Sequence, residues 1–100
     1  MSIGVTLKVS AKSSPNAVAG ALAAALRERE SAELQAVGAG AINQAIKAVA
    51  IARGYLRGAH LDAVCMPSFV VVAVGESERT AISLLVERRP LKEKVSQVED

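Results

Sequence analysis

Apolar and polar residues alternate from the start: Val5, Leu7 and Val9 interleave with Thr6, Lys8 and Ser10, the period expected of a strand with one buried face. The period then changes. Ser13 and Ser14 precede Pro15, and a serine cap with proline at the first helical position satisfies an orphan amide while presetting φ. Val18, Leu22, Ala25 and Leu26 follow on one helical face with Ala19 and Ala23 beside them, which predicts a helix over about 15–29. Glu33, Gln35 and Val37 alternate with Leu34 and Ala36 as a short second strand that stops at Gly38.

Gly38 and Gly40 open a second predicted helix that runs to about Arg57, with Ile42, Ala45, Ile46, Val49, Ala52 and Leu56 as a broad apolar face and Gly58 as its stop. Leu61 to Met66 and Phe69 to Val74 read as strand interrupted at Pro67, which cannot donate a ladder hydrogen bond and so requires a kink or an edge position. Gly75, Glu76, Ser77 and Glu78 supply a polar turn. Thr80, Ile82, Leu84 and Val86 return as a final strand. The order strand, helix, strand, helix, strand, strand, with right-handed crossovers in the first two units, predicts an α/β two-layer sandwich: a mixed sheet with its first two strands parallel and both helices on one face. Phe69 to Val74 is consecutively apolar and points side chains to both sides of that sheet. Two helices cover one side only, so either Phe69 and Val71 or Val70, Val72 and Val74 would be left open, which predicts a homodimer or a higher homo-oligomer.

A chain of 100 residues has room for one core. That core must be packed from Ala, Val, Leu and Ile, because Tyr55 and Phe69 are the only aromatic residues. The domain is expected over residues 1–89, with a polar tail over 90–100 that is frayed or a short helix. Cys65 is the only cysteine and excludes an internal disulfide, which suits a reducing, cytoplasmic setting. The longest apolar stretch, Ala17 to Leu26, is shorter than the roughly 20 residues of a membrane span and continues into a charged helix end, so no membrane partner and no signal peptide are expected.

Charge is unevenly placed. Residues 1–60 carry seven basic and three acidic side chains, a balance of +4, whereas residues 61–100 carry five and seven, a balance of −2. The windows 1–27 and 34–61 contain Lys8, Lys12, Arg27, Lys47, Arg53 and Arg57 and no acid, which makes the first half the candidate surface for an anion. On the second helix Asn43, Lys47 and Arg57 share a face with Ala50 and Gly54, small residues that leave room for a backbone to approach. Lys12, Ser13, Ser14 and Asn16 stand at the start of the first helix, where the dipole also favours anions. A solvated helix face is the plain structural reading of the same stripe.

Catalysis finds no support. The run Val37-Gly38-Ala39-Gly40-Ala41-Ile42-Asn43 departs from the dinucleotide fingerprint at its third glycine, and no carboxylate stands about 20 residues on. Those glycines serve either a tight packing turn or a contact to one phosphate. His60 is the sole histidine and has no patterned serine or acid partner, so no catalytic residue, metal, cofactor or small-molecule substrate is expected.

Leu7-Lys8-Val9-Ser10-Ala11-Lys12-Ser13-Ser14-Pro15-Asn16, Ala36-Val37-Gly38-Ala39-Gly40-Ala41-Ile42-Asn43-Gln44-Ala45, Ile46-Lys47-Ala48-Val49-Ala50-Ile51-Ala52-Arg53-Gly54 and Glu78-Arg79-Thr80-Ala81-Ile82 resemble the SpoVS (stage V sporulation protein S) family over about residues 5–89. The resemblance implies a non-enzymatic regulatory protein associated with bacterial sporulation, and a fold similar to Alba, the dimeric archaeal chromatin and RNA-binding protein. Alba proteins contact nucleic acid through a lysine just before the first helix, which Lys12 matches, and their second helix opens with a pattern similar to Gly40, Ile42 and Ala45. Their hairpin is basic, whereas here Glu76 and Glu78 flank the turn and Arg79 is its only base. The implied function is nucleic-acid binding as a homodimer, weak and salt-dependent, through Lys12, Ser13, Ser14, Asn16, Asn43, Lys47, Arg53, Arg57 and Arg79. The alternative is an interaction or scaffolding module that uses the sheet face for protein contacts in a sporulation or cell-division programme.

Overall fold

The structure, a computed structural model, describes residues 4–92. The elements follow the order β1 (Thr6–Val9), α1 (Pro15–Glu28), β2 (Ser31–Ala36), α2 (Ala39–Leu56), a 3-10 turn over Arg57–Ala59, β3 (Leu61–Val74) and β4 (Ser77–Pro90). The expected tail from residue 90 is described only to Lys92, with Pro90 still in β4, and its frayed or short helical continuation lies outside the described residues. Among the described residues no helix is long and apolar enough to cross a membrane.

Both helix starts follow from their sequences. Ser14 Oγ accepts the Ala17 N–H at 3.2 Å and Pro15 occupies the first turn of α1. Gly38 enters α2 with φ of 92°, a backbone that side chains disfavour, and offers no capping oxygen. Its carbonyl accepts the Ile42 N–H at 3.0 Å, so the amides of Ala39, Gly40 and Ala41 have no acceptor within the helix.

The four strands form one mixed sheet in the order β1-β2-β4-β3, with β1 parallel to β2 and the other pairs antiparallel. Both helices lie on one face of it. Their buried residues, among them Leu22, Leu26, Ala45, Ala52 and Leu56, join Val9, Ala32, Leu34, Ala36, Ala63, Leu84 and Val86 in one core. The strand members of that core share one side of the sheet, since Ala32 pairs with Val86 and Leu34 with Leu84. Among the described residues ten of the eighteen buried hydrophobic ones are alanine, which lets the helices lie close to the sheet and to each other. Ile46 departs from its expected place: it is 47% exposed, because it lies about 100° round the helix from Ala45 and about 60° from Val49, beyond the edge of the buried face.

β3 runs unbroken through Pro67, without the interruption read from the sequence. Leu91 donates its N–H to the His60 carbonyl at 3.0 Å, and the register from Leu61 opposite Pro90 to Val74 opposite Ser77 then places the bonded pairs at even residues of β3. Pro67 is at an odd position on an edge strand, so its missing donor faces the free edge.

The hairpin is longer than the sheet that carries it. β2 pairs with β4 only over residues 82–87, so the hairpin beyond Phe69 and its partner Ile82 overhangs the ends of β1 and β2. Both sides of the overhang are therefore open to some degree, rather than one face or the other. Phe69 (79% exposed) and Val71 (66%) lie on the helix side, whereas Val72 and Val74 line a shallow groove with Lys8, Gln35 and Val37 on the opposite side.

Candidate nucleic-acid interface

The loop between β1 and α1 holds Lys12 by a closed set of short contacts. Ser10 donates its N–H to Ser13 Oγ at 2.9 Å, and Ser13 returns its own N–H to the Ser10 carbonyl at 3.0 Å. The Lys12 N–H donates to Ser10 Oγ at 3.1 Å. The backbone is thereby fixed while the Lys12 side chain remains exposed.

This loop is packed against the first turn of α2. A Cβ placed on Gly40 would lie 2.9 Å from the Cβ of Ala11, closer than side chains pack, so glycine is what admits the loop. One helical turn later Gln44 Nε2 donates to the Ser13 carbonyl at 2.8 Å. Of the two uses open to the glycines, Gly40 serves the packing turn. Neither Ala11 nor Gln44 stood out in the sequence, because a contact between residues 31 positions apart leaves no periodic trace.

The nine candidate residues divide by place. Lys12, Ser13, Ser14 and Asn16 lie at the start of α1, which the Gln44 contact to Ser13 joins to the first half of α2, where Asn43 and Lys47 stand, and the first turns of both helices carry no acid. Asn16, Asn43 and Lys47 are exposed. Ser13 and Ser14 each accept a backbone N–H through the hydroxyl oxygen, Ser14 as the helix cap, so their first role is to hold the loop. Arg79 lies on the hairpin that overhangs this same end of the sheet, opposite Val72.

Arg53 and Arg57 belong to the other end. Asn43 and Arg57 are 14 residues apart on the α2 axis, about 21 Å at 1.5 Å per residue. Arg53 is engaged: its Nε and Nη2 donate to the two Asp62 carboxylate oxygens at 2.7 and 3.0 Å. That fork holds the Asp62 carboxyl below the usual carboxylate range, chiefly through the hydrogen bonds from Arg53, with Arg57 adding a weaker attraction, and raises the Arg53 guanidinium in return. Arg57 remains exposed beside this pair. His60 closes the 3-10 turn in left-handed backbone, an exposed loop residue as its sequence context suggests.

The sheet face away from the helices has a polar centre of its own. Glu33 accepts Ser83 Oγ at 2.6 Å and Gln35 Nε2 at 3.2 Å through one oxygen, and Thr6 Oγ1 at 3.1 Å through the other. The Ser83 bond leads in holding the Glu33 carboxyl below its ordinary range, against the opposing effect of partial burial. Exposed Val64 and Met66 flank this centre on β3.

The model of the family Stage V sporulation protein S (SpoVS) matches residues 5–89, from the strand that leads into the Lys12 loop to the last residues of β4. With nearly the whole chain inside that match, the protein belongs to the SpoVS family and is a sporulation-related protein.

Proposed function

We propose that this protein is a non-enzymatic regulator that binds nucleic acid through backbone phosphates as a homodimer. The observation that carries the reading is the end of the molecule where the Lys12 loop sits against α2: Lys12, Asn16, Asn43 and Lys47 are each exposed, and neither helix has an acid in its first turn. Lysines aimed at phosphate position a nucleic acid without reading its bases, so binding is weak and indifferent to sequence. The resemblance to Alba noted from the sequence supports Lys12 among these residues.

Fluorescence anisotropy with single-stranded and duplex DNA and RNA tests it. With about three to five phosphates neutralised per dimer, log affinity falls against log salt with a slope of about −3 to −5 on duplex DNA. Lys12→Glu with Lys47→Glu abolishes binding to every sequence alike. Undetectable binding of the native protein at about 50 mM salt, or binding unchanged in the double variant, overturns the reading.

The second reading, a protein-interaction module, draws on the open hairpin with Phe69 and Val71. Apolar exposure of this kind is what a second copy covers in the dimer, and Phe69→Ser shifts the oligomer toward monomer in light scattering. An interaction that survives high salt and fails on Phe69→Ser, with no nucleic-acid binding, would place the module reading first.

A further inference from the structure

Lys12 stands on a loop of five residues, Ser10 to Ser14, between β1 and α1, and four rotatable side-chain bonds separate its ammonium from the backbone. A lysine so placed contributes to phosphate binding only as far as its backbone is held, because ordering the side chain already costs up to about 2 kcal/mol. Within the loop, Ser10 and Ser13 close a ring of hydrogen bonds, but that ring ties the loop to itself and not to the rest of the molecule. Ser14 joins the loop to α1 as its cap, and two further contacts among the described residues join it to α2. One is the Ala11 methyl against Gly40, a non-directional packing contact. The other is the donor from Gln44 Nε2 to the Ser13 carbonyl at 2.8 Å, half-buried and directional, from a residue on the same helix as Asn43 and Lys47.

We propose that Gln44 is a positioning residue: it fixes the Lys12 loop to α2, so that Lys12 and Lys47 meet a nucleic-acid backbone as one preset pair. The proposal rests on the nucleic-acid reading for its consequence and on the Gln44 to Ser13 contact for its structure. Gln44 itself touches no phosphate. Its amide is directed at the loop, and its effect on binding passes through Lys12.

Gln44→Met tests this, since methionine matches glutamine in length and helix preference while removing the donor. Three measurements are compared in the native protein, Gln44→Met, Lys12→Ala and the double variant: thermal unfolding, amide hydrogen exchange without nucleic acid, and DNA affinity with its salt slope. Gln44→Met speeds exchange at the Lys12 and Ser13 amides about fivefold, the loss of one neutral hydrogen bond, and leaves the amides in the middle of α2 unchanged. Affinity falls in Gln44→Met and the salt slope loses up to about 0.9, one phosphate. In the Lys12→Ala background Gln44→Met has no further effect on affinity.

Equal weakening in both backgrounds would overturn the proposal, because it would mean that Gln44 acts on the whole fold or on another contact. Unchanged loop exchange would overturn it as well, whatever the affinity. Should the native protein bind no nucleic acid while Gln44→Met still frees the loop, the nucleic-acid reading fails and the consequence proposed for Gln44 fails with it, but the loop anchor stands. If Gln44→Met does not fold, Gly40→Ala displaces the same loop through Ala11 and takes its place in the comparison.

Discussion

Ser83→Ala isolates the polar centre of the open sheet face. Ser83 is 6% exposed and donates to Glu33 at 2.6 Å, the shortest hydrogen bond of that cluster. Alanine fits the same space, so no overpacking or large cavity complicates the comparison. A hydrogen bond to a charged group contributes about 1.5–3 kcal/mol net, and Glu33 keeps Gln35 and Thr6 as donors on a half-open surface, which places the loss at or just below the bottom of that range, about 1–1.5 kcal/mol at neutral pH. For a domain of this size that is about 5–10 °C in Tm. The effect depends on pH in a determined direction. Glu33 has its carboxyl lowered in the folded protein, so its contribution is complete above the ordinary carboxylate range and disappears as pH falls through the folded value. Thermal melts by circular dichroism over a series of pH values from neutral downward, at one protein concentration so that assembly does not shift the midpoint, should show the Ser83→Ala difference shrinking as the pH falls. A difference that stays the same down to a pH at which the Glu33 carboxyl is protonated would show that its charge is not what the serine stabilises.

Pro67→Thr restores a donor on the free edge of β3 and should raise concentration-dependent self-association in light scattering; an unchanged mass distribution would mean that the proline does not protect that edge. Arg53→Ala should cost less than about 1 kcal/mol in urea unfolding, because the pair with Asp62 is 56% and 26% exposed at its two side chains and is screened by water. The same variant should lower DNA affinity less than Lys47→Ala does, measured by anisotropy at low salt, since Arg53 already has its carboxylate.

The elements were legible where a local rule decides them. Ser14 and Pro15 marked the start of α1 and Gly38 the entry to α2, because caps and left-handed backbone are properties of single residues. The parallel first pair and the shared helix face followed from connection length and handedness. What the alternation of β3 and β4 did not reveal was where their partner ends. β2 has six residues against the fourteen of β4, and this mismatch, not the pattern of either strand, leaves both sides of Phe69 to Val74 uncovered. Ile46 shows the same limit in a helix: a broad apolar stripe identifies the buried side, but the edge of burial depends on how far α1 and the sheet reach round it. At the candidate site, charge windows found Lys12 and Lys47, while the Arg53 fork to Asp62 and the Gln44 anchor belong to tertiary contacts that no window contains.

The charges left accessible tie the proposed binding to assembly. Of the five candidate cations, Arg53 is held by Asp62, and Arg79 stands next to Glu78 on a hairpin whose turn carries Glu76. Lys12, Lys47 and Arg57 remain, with Lys47 and Arg57 ten residues apart on α2, about 15 Å. Phosphates on one strand of a duplex advance about 3.4 Å per step, so a backbone lying along α2 reaches Arg57 four to five steps beyond Lys47, whereas one crossing at the start of the helix meets only Lys12 and Lys47. A single subunit then neutralises about two phosphates in the crossing geometry, with a slope near −2, and about three in the other, with a slope near −3. Two copies that present their Lys12 ends to one ligand double the phosphates to about four and six, with slopes of about −3.6 and −5.4. The crossing geometry thus meets the expected range only as a dimer, and an affinity that depends on protein concentration as steeply as on salt is the signature that separates a paired surface from isolated lysines.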